Sequence, residues 1–162
     1  MGSRSTTNTE KLAYIAGFLD GDGSLMLQVK KRSDTKLGVR FMATICLYQD
    51  TRHEKPLRWV RDVFGIGYIA HRSDGMSELR INGYSTVKEI LLQLQPFIQF
   101  KSKQTEALIK ACEILEGTEM RNMEKTQLRK IVDLVFVIKN ENYKSHSTLT
   151  KKELYARVGL TP

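Results

Sequence analysis

The sequence predicts an α+β domain in which helices pack on one face of a single four-stranded antiparallel sheet. The hydrophobic pattern switches repeatedly between the helical period and the strand period. Hydrophobic residues make up 41% of the 162 residues, and no tandem repeat or Pro/Gly/Ser linker divides the chain. We therefore expect one domain over residues 1–162, with residues 1–7 outside the fold because MGSRS resembles a cloning remnant.

The first half of the chain predicts a helix, a hairpin, a second helix and a second hairpin. The first helix covers residues 10–20, with Asn8 or Thr9 as its cap. Strands follow at 24–31 and 38–48, then a helix at 54–64 that Gly65 ends. The second hairpin pairs 67–72 with 77–81 and turns at Asp74-Gly75.

The second half is predicted to be helical. Residues 86–89 (TVKE) form the pattern of a capping box for a helix that ends near Pro96. Ser102 is the expected cap of a helix that stops at Gly117, and a long helix is expected at 119–140. Residues 150–153 (TKKE) predict the capping box of a last short helix. The predicted order is therefore α-ββ-α-ββ-α followed by helices.

Composition favours a polyanionic partner inside a cell. The formal net charge is +8 and the isoelectric point is near 9.5, which favours nucleic acid or an acidic membrane surface. No apolar run is long enough for a membrane span, and no signal-peptide pattern is present. The two cysteines, Cys46 and Cys112, have no metal-ligand spacing, which favours a reduced compartment.

Strand alternation predicts that one sheet face is buried and the other is polar. Arginine, lysine, glutamine, glutamate and tyrosine side chains can read base edges and bind phosphates. The outward positions that carry them are Gln28, Lys30, Arg32, Arg40, Tyr48, Glu78 and Arg80. An ordinary solvated sheet face has the same composition. The excess of basic residues between 24 and 50 favours DNA binding.

The most informative segment is IAGFLDGDG at residues 15–23, where the first helix ends. The small or helix-end residues Ala13, Ala16, Gly17 and Asp20 share one helix face, which favours close approach of a second helix. The Asp22 carboxylate and the Gly21 carbonyl provide oxygens for a hard cation such as Mg²⁺. A bare DGDG string also suits a simple helix stop. A calcium loop is excluded because Leu25 and Lys31 occupy its glycine and glutamate positions.

Residues 15–23 resemble the LAGLIDADG motif of the homing endonucleases, in its single-motif form. The resemblance extends over about 11–140 and includes GIGY at 65–68, QLQPF at 93–97 and KSKQ at 101–104. It implies the family's α-ββ-α-ββ-α fold, in which the antiparallel sheet forms a saddle over DNA. It also implies a site-specific endonuclease that makes Mg²⁺-dependent double-strand breaks with short 3′ overhangs, in intron or intein homing.

The resemblance also assigns roles to individual residues. Asp22 matches the catalytic metal ligand, and Gly21 matches the residue whose backbone carbonyl also binds the metal. Asp20 matches a structural acid near the dimer interface. Gln49 matches a residue that positions the nucleophilic water, and Lys101 a cation that stabilises the transition state. The family's arginine in this pocket matches His53, with Arg52 adjacent, and this position stays open.

One motif per chain implies a homodimer on a pseudo-palindromic target whose half-site centres are about 10 bp apart. It implies two or more Mg²⁺ per dimer, with Mn²⁺ as a substitute. To the seven outward sheet positions it adds Arg72 and Lys144 as DNA contacts. The alternatives are a non-cleaving intron RNA maturase and a basic structural protein. An organelle and a prokaryotic cytoplasm are both possible locations.

Overall fold

The computed structural model describes residues 7–142 and 148–161. Lys144 and residues 1–6 lie outside the described residues, and Thr7, the last residue of the segment expected outside the fold, is the N-cap of α1. The helices are α1 (Asn8–Asp22), α2 (Lys55–Phe64), α3 (Tyr84–Leu94), α4 (Ser102–Gly117), α5 (Lys125–Glu141) and α6 (Lys151–Arg157). The strands are β1 (Gly23–Lys31), β2 (Val39–Asp50), β3 (Tyr68–His71) and β4 (Met76–Asn82). The predicted α-ββ-α-ββ-α order is confirmed.

The first helix is longer at both ends than its hydrophobic pattern predicted. Thr7, and not Asn8 or Thr9, caps it: the Thr7 side chain accepts from the Glu10 amide, and the Glu10 side chain accepts from the Thr7 amide. At the other end the Gly23 amide donates to the Leu19 carbonyl, which extends the helix through Asp22. The last helical turn therefore contains the whole acidic part of the motif.

The sheet has the order β1-β2-β4-β3, and every neighbouring pair is antiparallel. Its core face is buried through alternate residues of the strands: Leu25, Leu27, Phe41, Ala43, Ile45, Leu47, Leu79 and Ile81. These side chains belong to one hydrophobic cluster with α1, α3, α4 and α5. The register and the alternation put a second set on the opposite face, called here the groove face: Ser24, Met26, Gln28, Lys30, Arg40, Met42, Thr44, Cys46, Tyr48, Tyr68, Ala70, Glu78 and Arg80.

Three residues at the centre of the groove face are buried, although an open polar surface was expected there. Thr44 and Cys46 are fully buried, and Glu78 is 4% exposed. Thr44 satisfies its hydroxyl by donating to the Asn82 side chain at 2.7 Å. The middle of the face is therefore less open than its polar composition predicted, whereas Lys30 and Arg40 at one end of it are exposed.

Helix starts in the second half differ from the predictions where a backbone turn replaces a side-chain cap. The box at 86–89 does not form, because α3 begins two residues earlier after Gly83, whose φ of 109° suits glycine. Ser102 is the first residue of α4, and Lys101 is its cap residue.

The predicted helix at 119–140 is also shorter at its start. It splits into a 3₁₀ turn at Met120–Asn122 and α5, which Glu124 and Gln127 cap. The Thr150–Glu153 box of α6 is confirmed. Within the described ranges, no helix combines the length and apolarity that crossing a membrane requires.

Candidate metal and nucleic-acid site

Asp22 ends α1 with an exposed carboxylate. Among the residues that the structure describes, that carboxylate has no hydrogen bond or ion pair, and the preceding Gly21 is exposed as well. Helix carbonyls at a C-terminus carry partial negative charge, so this end of α1 gathers oxygen and attracts cations. Gly23 makes the junction possible, because a Cβ there would lie 2.5 Å from Leu19 Cδ1 and 2.7 Å from the Leu19 carbonyl oxygen. The chain can therefore leave the helix directly into β1.

Asp20 fastens the end of α1 to the segment before α4. Its carboxylate accepts from the Gln99 amide at 2.7 Å and from the Lys101 amide at 3.0 Å. Lys101 returns the contact, because its Nζ donates to the Asp20 carbonyl at 2.5 Å. These three bonds hold the lysine ammonium beside the last turn of α1, which ends at Asp22.

Lys101 is unusually buried for a lysine, with 7% of its surface exposed. Burial lowers the pKa of its ammonium below the ordinary 10.5, and the negative charges of Asp20 and Asp22 oppose that shift. Its carbonyl is also fixed, since it accepts from the Thr105 hydroxyl at 2.8 Å. The site thus holds a desolvated cation in a defined position.

Gln49 lies at the same end of the sheet. Gly23 pairs with Leu47 in the β1–β2 register, so Gln49 lies two residues further along β2, about 7 Å past the helix-to-strand junction. It is half-buried, and its Oε1 accepts from the Asp50 amide at 2.9 Å. Of the three predicted catalytic residues, the fold thus puts Asp22 and Lys101 at the C-terminus of α1 and Gln49 at the adjoining end of the sheet.

The open pocket position next to Gln49 remains shared by two exposed candidates. Arg52 is held by Asp50 through Nε at 3.0 Å and Nη2 at 2.8 Å. His53 ends the same 3₁₀ turn, Thr51–His53, and is exposed. Both side chains are exposed, so either can contact a phosphate.

The donor set suits Mg²⁺ only in part. Within the described ranges, no group of three or more His, Cys, Asp or Glu side chains could hold a metal ion. Mg²⁺ prefers six oxygens and keeps several waters. One Asp22 carboxylate and one helix-end carbonyl fit that ion chemically but leave most of its shell to water, phosphate oxygens and a second copy of the chain.

The remaining predicted DNA contacts lie on or beside the groove face. Lys30 and Arg40 are exposed register partners on β1 and β2. Arg32 is exposed and forms a bidentate pair with Asp34 at 2.8 and 2.7 Å. Tyr48 is half-buried, and burial raises its pKa to about 12, so its hydroxyl stays protonated at neutral pH.

Glu78 does not point freely toward a ligand, although the sequence predicted it as a DNA contact. Its Oε1 accepts from Arg72 Nη1 at 3.0 Å, and its Oε2 accepts from Arg80 Nε at 2.6 Å. Only 5% of its side chain is exposed. This prediction is corrected: the two arginines occupy both oxygens, so the carboxylate is an internal partner of Arg72 and Arg80.

A cleft of about 900 Å³ joins this surface to the site. Its walls include Gly21 and Lys101 at the site, Gln28 and Lys30 of β1, and Lys139 of α5. Gln104, one turn after Lys101 in α4, is 4% exposed and also lines the cleft. Its Oε1 has no protein partner in the described parts of the chain. No sequence pattern predicted this residue, because an isolated buried glutamine has no pattern of its own.

One member of the predicted helix-pairing face is placed differently. Ala16 is fully buried in the chain's own core, so it has no surface to offer a partner. Ala13 and Gly17 are exposed, one helical turn apart. Tyr14 beside them is 65% exposed and packs edge-to-face on Trp59 of α2 at 5.7 Å. The exposed stripe is therefore rotated toward Tyr14 relative to the predicted one.

Comparison with known families gives a match over most of the fold. The family model described as LAGLIDADG endonuclease matches residues 15–115. The DNA endonuclease I-CreI of Chlamydomonas reinhardtii is 34% identical over 112 residues, which cover 69% of this chain and 68% of that protein. The DNA endonuclease I-CvuI of Chlorella vulgaris is 29% identical over 109 residues, covering 67% and 68%.

Solved structures match nearly the whole chain. A crystal structure of the homing endonuclease I-CvuI with its target in the presence of 2 mM Ca has a TM-score of 0.84 at 22% identity, covering 96% of this chain and 98% of that one. The same enzyme with the I-CreI target and 2 mM Mg, its DNA not cleaved, gives 0.83 at 23%, covering 93% of each chain. The archaeal intron-encoded homing endonuclease I-Vdi141I complexed with DNA gives 0.80 at 19%, covering 91% and 94%. At these sequence identities, it is the TM-scores that show a shared fold.

Proposed function

Since this chain belongs to the LAGLIDADG endonuclease family, we propose that it is a site-specific DNA endonuclease that depends on a divalent metal ion. Its proposed reaction is a double-strand break in a long pseudo-palindromic target. The observation that carries the proposal is the end of α1, where the Asp22 carboxylate lies beside the buried Lys101 ammonium. That carboxylate is exposed and has no hydrogen bond or ion pair with any residue that the structure describes. The relatives named as DNA endonucleases, and the neighbour solved with DNA and Mg or Ca, support the choice of substrate and metal.

The DNA is proposed to lie along the groove face. The cleft along this face offers room for a ligand, and the exposed cations Lys30 and Arg40 can bind phosphates. Central strands face base edges in such an arrangement, whereas edge-strand and hairpin residues face the backbone. Tyr48 of β2 and Arg80 of β4 are accordingly the proposed base-reading positions, and Gln28 of the edge strand β1 is a proposed backbone contact.

The active assembly is proposed to be a homodimer formed through the exposed side of α1. Ala13 and Gly17 let a second α1 backbone approach closely, and a two-fold axis there brings two Asp22 carboxylates together. One chain offers only part of a metal shell, so pairing supplies what the single site lacks. We propose two or more Mg²⁺ per dimer. Mn²⁺ is the expected substitute, because it accepts the same oxygen ligands.

Each residue of the site has a distinct proposed task. A bound divalent ion would neutralise charge on the reacting phosphate and lower the pKa of a coordinated water. Asp22 and the Gly21 carbonyl would hold that ion, and Gln49 would orient the attacking water. Lys101, fixed by its bond to the Asp20 carbonyl, would stabilise negative charge in the transition state. The proton leaves through ordered water, and the products are proposed to carry short 3′ overhangs.

A cleavage selection tests this function. The wild-type protein and Asp22→Asn would be incubated with Mg²⁺ and a library randomised within a pseudo-palindromic frame. The expected result is one cleaved consensus with 3′ overhangs for the wild type and none for the variant. The endonuclease proposal fails if neither protein cuts while both bind DNA. Equal, selective binding of intron RNA by both would instead favour a maturase.

A further inference from the structure

The three charged residues Arg72, Glu78 and Arg80 form a linked unit on the groove face. Glu78 lies between the two arginines, and each of its oxygens accepts from one of them. Its side chain is 5% exposed, whereas those of Arg72 and Arg80 are 47% and 30% exposed. A buried carboxylate bonded to two guanidinium groups holds their planes in fixed directions. The unit therefore presents arginines, and not the acid, to a ligand.

Arg72 and Arg80 differ in which of their side-chain nitrogens are left to bind a ligand. Arg72 is bound at both ends, because Nη1 donates to Glu78 and Nη2 pairs with Asp74 at 2.8 Å. Arg80 is held through Nε, at 2.6 Å from Glu78. Neither terminal nitrogen of Arg80 has a hydrogen-bond partner within the described ranges. Its outer edge, formed by Nη1 and Nη2, is thus oriented and unused.

The position of Arg80 in the sheet determines which part of a duplex the outer edge of its guanidinium contacts. Arg80 lies on β4, one of the two central strands, between Cys46 on β2 and Tyr68 on β3 in the register. Phosphates pass at the margins of a sheet seated in the major groove, and base edges face its middle. A guanidinium edge with two parallel N–H donors matches the O6 and N7 acceptors of guanine.

We propose that Arg80 reads a guanine in each half-site and that Glu78 is the positioning residue that aims it. This inference rests on the proposed function, because it takes sequence-specific DNA as the ligand. Glu78 contributes no base contact of its own. Its loss releases the Arg80 side chain, so the preference for guanine weakens while overall attraction to DNA does not.

A binding selection tests this assignment without requiring cleavage. Randomised duplex would be selected in EDTA with wild type, Arg80→Ala, Glu78→Gln and the control Arg61→Ala. Arg61 pairs with Asp62 on α2, away from the groove face, and its replacement removes the same charge as Arg80→Ala. The wild type and the control should retain an invariant guanine at one symmetric position. Arg80→Ala should reduce the guanine preference there by about 5- to 150-fold and leave other positions unchanged.

The Glu78→Gln variant separates positioning from folding. It should lose most of the guanine preference at that same position, with total affinity equal to or above that of the wild type. A damaged fold would lower the affinity for all sequences together. The assignment is overturned if no guanine depends on Arg80, or if Glu78→Gln keeps full selectivity. Selective binding without any Mg²⁺-dependent cleavage would reject the proposed function and leave this assignment intact.

Discussion

Replacing Asp20 with Asn removes one of the two carboxylate oxygens that hold the segment before α4. The Asp20 carboxylate accepts from the Gln99 and Lys101 amides at 2.7 and 3.0 Å. Asparagine keeps one acceptor and turns an N–H group toward the other amide. A hydrogen bond to a charged group contributes about 1.5–3 kcal/mol, so we expect a loss of about that size in the free energy of unfolding. For a domain of this length the melting temperature should fall by about 3–12 °C.

The same substitution should slow cleavage more than it weakens binding. Lys101 donates to the Asp20 carbonyl and follows directly on the segment that the carboxylate holds. A displaced ammonium stabilises the transition state less well, and small misplacements of a catalytic group cost about 10- to 100-fold in rate. Single-turnover cleavage with protein in excess measures this step. Thermal unfolding of the same preparations measures the stability.

Asp22→Asn is the matched control, since it changes the neighbouring acid in the same way. Asp22 has no described protein partner, and an acid at a helix C-terminus is slightly unfavourable, so the variant should be as stable as the wild type or slightly more stable. It should bind DNA and fail to cleave it. If Asp20→Asn has the melting temperature of the wild type and cuts at the wild-type rate, the hydrogen bonds of the Asp20 carboxylate do not position Lys101.

Three further predictions follow from particular contacts. Burial lowers the pKa of Lys101 below 10.5, so the ammonium loses its proton as the pH rises through that lowered pKa. The cleavage rate should therefore fall at alkaline pH, and Lys101→Arg should move this fall to higher pH. A pH–rate profile of both proteins would check this. Gly67→Ala puts a Cβ 3.0 Å from the Leu79 and Ile81 side chains at a φ of +107°, so the free energy of unfolding in urea should fall by about 2–4 kcal/mol. Gly65→Ala, where the space around the Cβ is open, should lower it by about 1–2 kcal/mol. Tyr84→Phe removes the hydroxyl that donates to the Phe41 carbonyl and should cost about 1 kcal/mol in the same assay.

Each of these predictions has a contradicting result. An unchanged alkaline limb in Lys101→Arg would show that the lysine charge does not limit the rate. Equal losses in the two glycine variants would show that backbone conformation alone, and not contact with β4, sets the cost. A Tyr84→Phe protein as stable as the wild type would show that water replaces the lost donor.

Local patterns in the sequence predicted most of the fold. Helix and strand periods, the Asp74-Gly75 turn and the Thr150 capping box depend on residues close together in the chain, and these predictions are confirmed. Caps that the backbone provides, such as that of α3 at Gly83, leave no side-chain signal. The box at 86–89 was misplaced for that reason.

The chemistry of the site was harder to predict where it depends on distant residues. Asp20 meets Gln99 and Lys101 across 79 and 81 positions, and the motif itself gives no sign of that contact. Glu78 was assigned outward from alternation, which is correct for its direction but does not reveal the two arginines that cover it. Ala16 was misplaced because an alanine suits either a core or a helix-pairing face.

The central claim is that Asp22 holds the metal ion that cleavage requires. The most direct measurement is single-turnover cleavage of the selected duplex by wild type and Asp22→Asn as the Mg²⁺ concentration is raised from zero, with DNA binding measured in parallel. The wild-type rate should rise from zero and saturate, while the variant binds equally well and stays inactive throughout. Cleavage by the variant at the wild-type rate, or by the wild type without any divalent ion, would contradict the claim.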